Sequence, residues 1–281
     1  MFGSFSMNYS CTSASTTPMM NFVSTWLLFA QALVISTAQD IGRFAYEESF
    51  FNMYYDVNED KEVKLTVEVP RPRHGRGDIP PSVDQAFGPY PLRKEEGFTY
   101  TIDFKKSGIS RDDWDQSIET FLRDNGVLEH DDPFNPGDLA TLTYTSGDEF
   151  FVNLGDEELL FLRVGRDLVP GEYVYKEPVS PRMRISYKIF DNGTGGVLVK
   201  CRRRSTSRFA HMLHRRDRGL QYLHHAVESA GRGTLDQFRD QVRYVCPGKR
   251  VLFDDFSRVV AATDRTIYVE VEGGRLALTK V

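Results

Sequence analysis

Two stretches of the sequence decide the predicted fold, and they resemble each other at a constant offset of 117 residues. Residues 138–164 read DLATLTYTSGDEFFVNLGDEELLFLRV, and residues 255–281 read DFSRVVAATDRTIYVEVEGGRLALTKV. Without a gap, this offset aligns Phe151 with Tyr268. Both stretches alternate apolar and polar residues between turn residues, a pattern that predicts three consecutive strands.

Two more pairs of segments resemble each other upstream. Residues 42–48, GRFAYEE, resemble residues 171–177, GEYVYKE, and residues 97–102, GFTYTI, resemble residues 196–201, GVLVKC. The matches keep their order along the chain, and a helical pattern follows the last of them in each half. The order predicts two copies of one module. Because strand hairpins share alternation for physical reasons alone, coincidence remains the alternative.

The predicted modules span residues 41–164 and residues 170–281, and each reads as strands, one helix and three strands. In the first module, Glu62–Val69 alternates, and a helix begins at Ser110 and ends at Asn125-Gly126. Consecutive strands favour antiparallel pairing, so we predict an α+β fold with helices packed on one face of the sheet. The sequence leaves open whether the modules are separate domains or one pseudo-symmetric body.

The second module contains the longest predicted helix. Met183–Ile189 alternates as a strand, and a short helix is predicted over Leu235–Val242. Between them we predict a helix from about Ser207 to Ala230. Arg216 falls on its apolar face, which we explain by snorkelling of the long side chain. Five apolar residues share that face at helical spacing: Phe209, Leu213, Leu220, Leu223 and Val227.

The N-terminus predicts export from the cell. Residues 1–38 carry no charged side chain, and the predominantly apolar run of 14 residues at 22–35 has the length of a signal-peptide core. We predict cleavage after Ala38, with translation starting at Met19 or Met20 as a variant of the same interpretation. A mature chain of this kind has no transmembrane span. A buried N-terminal helix and an uncleaved anchor are the alternatives.

The two cysteines that follow the predicted cleavage site agree with an oxidising compartment. Cys201 and Cys246 are predicted to form a disulfide, with two buried free thiols as the alternative. Asn192-Gly193-Thr194 is an N-glycosylation sequon in a turn-like stretch, so a glycoprotein is expected. With 40% hydrophobic residues, the chain has enough apolar side chains to fill a core, which excludes wholesale disorder.

Charge divides the chain into two unlike halves. Residues 39–160 have a net charge of −15, and residues 161–281 have a net charge of +10. The halves are expected to attract each other, within one molecule or head to tail between molecules. The alternative is a basic surface for an extracellular anionic partner, which is a sulfated glycan, an acidic protein or a membrane surface. The arginines that would form this surface are Arg202, Arg203, Arg204, Arg208, Arg215, Arg216 and Arg218.

A proline-rich loop is the second candidate for binding. Residues 70–96 hold six of the 13 prolines and surround the tripeptide Arg76-Gly77-Asp78. An arginine and an aspartate on either side of a glycine turn fit a cell-surface receptor that binds the carboxylate through a metal ion. A plain extended surface loop is the alternative.

Catalytic signatures do not occur in the sequence. No nucleophile elbow, phosphate-binding loop or metalloprotease motif is present, and no cofactor is expected. His211, His214 and Asp217 are weak candidates for a metal site, with a solvated basic face as the alternative. No nucleic acid is expected, because no recognised nucleic-acid-binding motif accompanies the arginines.

These observations predict a secreted, non-enzymatic protein that binds a partner. The alternatives are a secreted hydrolase or small-ligand carrier, with a site between the two modules, and a protein that stays inside the cell.

Overall fold

The computed structural model describes residues 41–70, 82–179, 182–217, 223–231 and 233–281. The predicted leader, the tripeptide Arg76-Gly77-Asp78 and Arg218 lie outside these residues. The described part of the protein is mostly antiparallel sheet, with 51% of the described residues in strands and 11% in helices. Within the part that is described, no helix is long and apolar enough to cross a membrane.

The strands form two closed antiparallel barrels of eight strands each. Barrel 1 consists of β1 Gly42–Glu47, β2 Asn52–Val57, β3 Glu62–Pro70, β4 Ser82–Lys94, β5 Thr99–Ile102, β6 Thr141–Ser146, β7 Glu149–Leu154 and β8 Glu157–Val164. Barrel 2 consists of β9 Gly171–Lys176, β10 Met183–Ile189, β11 Thr194–Cys201, β13 Phe209–Asp217, β14 Leu223–Ser229, β15 Arg258–Ala261, β16 Thr266–Val271 and β17 Gly274–Lys280. The two-residue strand β12, Arg204–Ser205, pairs with the end of β11.

The prediction of an α+β fold with helices on one face of a sheet is therefore wrong. Barrel 1 closes because β1 pairs with β8, and barrel 2 closes because β10 pairs with both β9 and β11. Alternation indicates which face of a strand is buried, but it does not indicate that the sheet closes on itself. The apolar face of each sheet is consequently covered by the sheet itself.

The predicted helix from Ser207 to Ala230 is also wrong, because this segment forms the antiparallel hairpin of β13 and β14. Phe209 and His211 are buried and Ala210 between them is exposed, which is the period of a strand. Arg216, which did not fit the apolar face of a helix, is exposed on β13. Its poor fit to the helical pattern was the sequence signal for a strand.

The two helices that do form agree with their predicted positions. Helix α1, Arg111–Asp124, begins after the N-cap Ser110, and Asn125 is its C-cap. Its Trp114 and Ile118 belong to the core of barrel 1. Helix α2, Leu235–Val245, belongs to barrel 2, where its Phe238 ring is buried in the core.

Each barrel places one buried aspartate just before its sixth strand. The Oδ2 atom of Asp138 accepts the amide N–H groups of the residues three before and seventeen after it, at 2.8 and 2.6 Å. The Oδ2 atom of Asp255 accepts the amides at the same two spacings, both at 2.8 Å. The main-chain carbonyl of each aspartate also accepts a hydrogen bond from its helix, donated by Trp114 to Asp138 and by Arg239 to Asp255.

A cation covers an aromatic ring at a second pair of related positions. The Arg163 guanidinium lies 4.5 Å from the Phe44 ring in barrel 1, and the Lys280 ammonium lies 6.0 Å from the Tyr173 ring in barrel 2. A glycine two residues before each ring leaves room for the basic side chain, because a Cβ there would lie 2.3 Å from Nη1 of Arg163 or 2.4 Å from Cε of Lys280. Duplication stays a prediction, which these paired contacts support.

One of the three sequence matches does not join related positions. Residues 97–102 end in β5, the fifth strand of barrel 1, whereas residues 196–201 lie in β11, the third strand of barrel 2. The resemblance of these two segments reflects the alternation that any two strands share.

Arg163 also joins the two barrels. Its side chain is 1% exposed, and it donates hydrogen bonds to the carbonyls of Ile41 and Gly147 and to the Asp148 carboxylate. The ring of Tyr268, from barrel 2, lies 5.0 Å from the same guanidinium. The Tyr268 hydroxyl donates to the Ile41 carbonyl at 3.1 Å, so this residue of barrel 2 is hydrogen-bonded to the start of β1.

Candidate functional site

Three cations form a row across the outside of barrel 2. Arg184 on β10 lies directly opposite Lys176 on β9 and Lys200 on β11, and all three side chains are exposed. Because neighbouring strands lie about 4.8 Å apart, the row spans roughly 10 Å. Among the described residues, no carboxylate forms an ion pair with any of the three. Like charges directly opposite each other destabilise a sheet, so stability does not explain why these three cations are neighbours.

The row continues into a turn of arginines. Residues Arg202 and Arg203 form the turn after β11, and Arg204 begins β12. All three are exposed, and the Arg204 guanidinium lies 5.3 Å from the ring of Tyr244 on α2. Arg202 and Arg203 make no ion pair within the described part of the chain. We call these two residues the arginine tip.

A disulfide holds this turn against the end of α2. The sulfur atoms of Cys201 and Cys246 lie 1.99 Å apart, which confirms the predicted pairing as a pair at disulfide distance. Cys201 precedes the arginine tip, and Cys246 is the C-cap of α2. The disulfide, the arginines and residues 247–249 line a pocket of about 540 Å³.

The lysine in this pocket is already neutralised. The Lys249 ammonium lies 2.5 Å from a Glu177 carboxylate oxygen and 3.1 Å from one of Glu272. Burial alone would lower the pKa of Lys249, but the hydrogen bonds that its ammonium donates to these two carboxylates raise the pKa above its usual value. Six cations of the row and the turn make no ion pair with any described residue, and we call them the basic face: Lys176, Arg184, Lys200, Arg202, Arg203 and Arg204.

Three other arginines predicted for a basic surface lie elsewhere and have partners, and the fourth, Arg218, lies outside the described residues. Arg208 donates to the Gly196 carbonyl at 3.0 Å and to the Ser186 hydroxyl at 3.2 Å. The guanidinium of Arg215 pairs with Asp167 at 2.8 Å, and that of Arg216 pairs with Glu228 at 2.9 Å. Of the predicted arginines, the structure places Arg202, Arg203 and Arg204 together on one surface.

Sequence reasoning missed the three cations of the row. Lys176, Arg184 and Lys200 lie on three different strands, and only the strand register brings them together. The available signal was their position, since each is an exposed residue near the end of a strand whose other face is apolar. Without knowledge of which strands pair, that signal does not identify a row.

The weak metal candidates do not face one another. His211 is buried inside barrel 2, where its Nδ1 lies 3.1 Å from the Phe209 carbonyl and its Nε2 lies 2.5 Å from the Tyr187 hydroxyl. Burial lowers the pKa of His211 to about 4. His214 is partly exposed, 3.4 Å from a Glu228 carboxylate oxygen. Only the main chain of Asp217 is described. No group of three metal-ligating residues occurs in the described ranges.

The glycosylation sequon lies in the turn between β10 and β11. Asn192 is exposed, and its side-chain oxygen accepts hydrogen bonds from the amide and the hydroxyl of Thr194. The position is accessible to a modifying enzyme. Glycosylation of Asn192 stays a prediction.

A pocket of about 430 Å³ lies between the two barrels, where a hydrolase or carrier site was considered. Its walls are mostly charged groups that bind one another, such as Arg166 with Asp56 at 3.4 Å. Glu59 accepts the hydroxyls of Thr263 and Thr266 at 2.5 and 2.6 Å. Burial alone would raise the pKa of Glu59, but these hydrogen bonds lower it. Its described lining residues include no aromatic side chain, which a carrier for an apolar ligand would need.

Comparisons with protein-family models, with curated proteins and with solved structures found no match to this chain. What the protein binds is therefore inferred from its own charges and contacts.

Proposed function

We propose that this is a secreted, non-enzymatic protein whose basic face binds a sulfated polysaccharide. The observation that carries the proposal is the row of Lys176, Arg184 and Lys200, whose like charges oppose one another across three paired strands. Such a row costs stability, and a bound polyanion relieves its repulsion.

The dimensions of the basic face favour a polymer over a single small anion. Three cations at intervals of about 4.8 Å match a linear chain with repeated negative charges. The arginine tip extends the row, and its planar guanidinium groups suit sulfate oxygens in pairs. A sulfated polysaccharide is the extended polyanion that a secreted protein meets outside the cell.

The test is retention on immobilised heparin. Replacing the row with serine (Lys176→Ser, Arg184→Ser and Lys200→Ser) is expected to weaken binding by roughly 100-fold, because each of the three cations contributes about 1 kcal/mol near an anionic surface. The triple serine variant of Arg202, Arg203 and Arg204 is expected to lose a similar amount. The matched control removes three exposed lysines of barrel 1, Lys94, Lys105 and Lys106, at equal net charge.

Equal retention of the row variant and the control variant would show that net charge alone governs binding, and the proposal would be wrong. A second arm compares heparin with single-stranded DNA of matched total charge. Tighter binding of DNA, lost with the same three substitutions, would replace the polysaccharide with nucleic acid as the ligand.

A further inference from the structure

The corresponding ends of the two barrels differ in the positive charge that they hold. In barrel 2, the Lys249 ammonium lies between Glu177, in the turn after the first strand, and Glu272, in the turn after the seventh strand. Lys249 belongs to the loop that follows helix α2. Its side chain is 13% exposed, so the barrel provides two carboxylates that hold one cation in a largely buried position.

Barrel 1 keeps one carboxylate of this arrangement and lacks the lysine, because Gly155 stands at the position of Glu272, with Asp156 and Glu157 directly after it. By the two sequence offsets, Glu48 corresponds to Glu177, and Asp132 occupies the position of Lys249. A groove of about 460 Å³ lies here, between the turn after β1, the turn after β7 and the loop after α1. We call it the acidic groove. Its floor is apolar, with Phe51 and Leu159, and its carboxylates are Glu48, Asp132, Asp156 and Glu157.

No lysine or arginine belongs to the described lining of the acidic groove. The guanidinium of the nearby Arg123 forms an ion pair with Glu119 at 2.9 Å. It also donates hydrogen bonds to the main-chain carbonyls of Glu129 and Asp132. Asp156 and Glu157 are exposed and make no ion pair with any described residue.

In each barrel, the pKa of one tyrosine reflects the negative potential of the neighbouring carboxylates. Burial, a hydrogen bond to Glu48 and the charges of Glu48 and Glu157 raise the pKa of Tyr46 to about 12. The corresponding residue in barrel 2 is Tyr175, whose pKa is raised by burial and by Glu177, while the charge of Lys249 opposes the rise. The negative potential of the groove is thus not opposed by a lysine as it is in barrel 2.

We infer that the acidic groove of one molecule receives the arginine tip of a second copy of this chain. Charge complementarity selects the occupant, because Arg202 and Arg203 are exposed on the same chain and form no ion pair among its described residues. The Lys249 site shows that carboxylates at this end of a barrel can hold a cation, and the apolar floor of the groove, with Phe51 and Leu159, suits the aliphatic stem of an arginine. The contact is heterologous, so it builds head-to-tail assemblies.

The test is sedimentation velocity of the whole protein over a range of concentrations at low ionic strength. The groove variant carries Asp156→Lys and Glu157→Lys, and the tip variant carries Arg202→Gln and Arg203→Gln. The native chain is expected to associate, and each variant alone is expected to associate at least about tenfold more weakly. The matched control, Glu96→Lys with Glu158→Lys, changes the charge equally at exposed residues outside the groove and is expected to associate like the native chain.

Mixing the two variants tests the direction of the contact. The groove variant keeps an intact tip and the tip variant keeps an intact groove, so one contact forms between them and assembly stops at a dimer. A native chain that stays monomeric at low ionic strength overturns the inference. So does a groove variant that associates like the control, or a mixture that remains monomeric.

This inference shares the arginine tip with the proposed polysaccharide surface, but different results would refute the inference and the proposed function. The groove variant must retain native binding to heparin, because Asp156 and Glu157 lie on barrel 1. A groove variant that loses association and keeps heparin binding supports both. A loss of heparin binding in the row variant, together with a native chain that stays monomeric, supports the polysaccharide proposal alone.

Discussion

Barrel 1 and barrel 2 keep the same buried contacts and differ in their exposed charges. The buried aspartates Asp138 and Asp255 accept amide hydrogen bonds at identical sequence spacings, and each stands next to its barrel's helix-to-strand connection. At the surface, Glu48 and Glu157 of barrel 1 border a groove that binds no internal cation, whereas barrel 2 presents a row of cations. Buried groups are fixed by the cost of leaving them unpaired, while exposed charges are free to change.

The difference locates function at the surface of each barrel and stability at the positions they share. A change at a shared buried position should destabilise the fold, and a change on the basic face should alter binding and leave the fold intact. The four predictions that follow test this division in order of decreasing effect.

Arg163 and Lys280 occupy corresponding positions but have different surroundings. Arg163→Met should lower the free energy of unfolding by about 4 kcal/mol, because it leaves the Gly147 and Ile41 carbonyls without their charged donor and removes the contact between the barrels. Lys280→Met removes one distant ring contact and should change the free energy of unfolding by about 0.5 kcal/mol or less. Urea denaturation of both variants measures the difference. Equal effects would mean that the position, and not the contact between the barrels, determines stability.

The disulfide occurs in barrel 2 alone among the described residues. Replacing Cys201 and Cys246 by serine should cost about 3–4 kcal/mol, because the cross-link restricts a loop of 45 residues in the unfolded chain. Hydrogen exchange should show the loss in barrel 2 and unchanged protection in barrel 1. Equal loss of protection in both barrels would show that they unfold as one unit.

A buried histidine makes barrel 2 sensitive to acid. Burial lowers the pKa of His211 to about 4, so the unfolded chain binds a proton there more readily than the folded protein does. The stabilisation is complete above pH 7 and should be lost as the pH falls from about 6.5 to about 4, by roughly 3 kcal/mol. Subtracting the pH profile of His211→Asn isolates this contribution. A difference that does not vary with pH would contradict the assigned burial.

The two aspartates should behave alike. Asp138→Ala and Asp255→Ala each leave partly buried amides without their acceptor, so each should cost about 2 kcal/mol. Thermal denaturation of the two variants, with Asp→Asn at each position as the conservative control, measures both. A cost at one site and none at the other would argue against equivalent positions in the two barrels.

Local patterns in the sequence predicted the elements correctly where one residue type dominated a face. The strand at Met183–Ile189 and the helix after Ser110 were visible because apolar side chains repeat at the period of each structure. Residues 207–230 were assigned wrongly, since His211 occupies an inward position where an apolar residue would have shown the alternation.

Long-range pairing was beyond the reach of the sequence. Closure of barrel 1 depends on contacts such as Phe44 with Arg163, which lie 119 residues apart along the chain. The basic face has the same origin, because Lys176, Arg184 and Lys200 become neighbours through the strand register. Arg202, Arg203 and Arg204 were found because they are consecutive.

The most direct measurement is a map of backbone amide chemical shifts of the isotope-labelled protein during titration with a size-defined heparin oligosaccharide. The largest changes should fall on Lys176, Arg184, Lys200 and the arginine tip, and the shifts of the control lysines of barrel 1, Lys94, Lys105 and Lys106, should not change. Shifts spread evenly over both barrels, or concentrated on other arginines such as Arg215 and Arg216, would contradict the assignment of binding to the basic face.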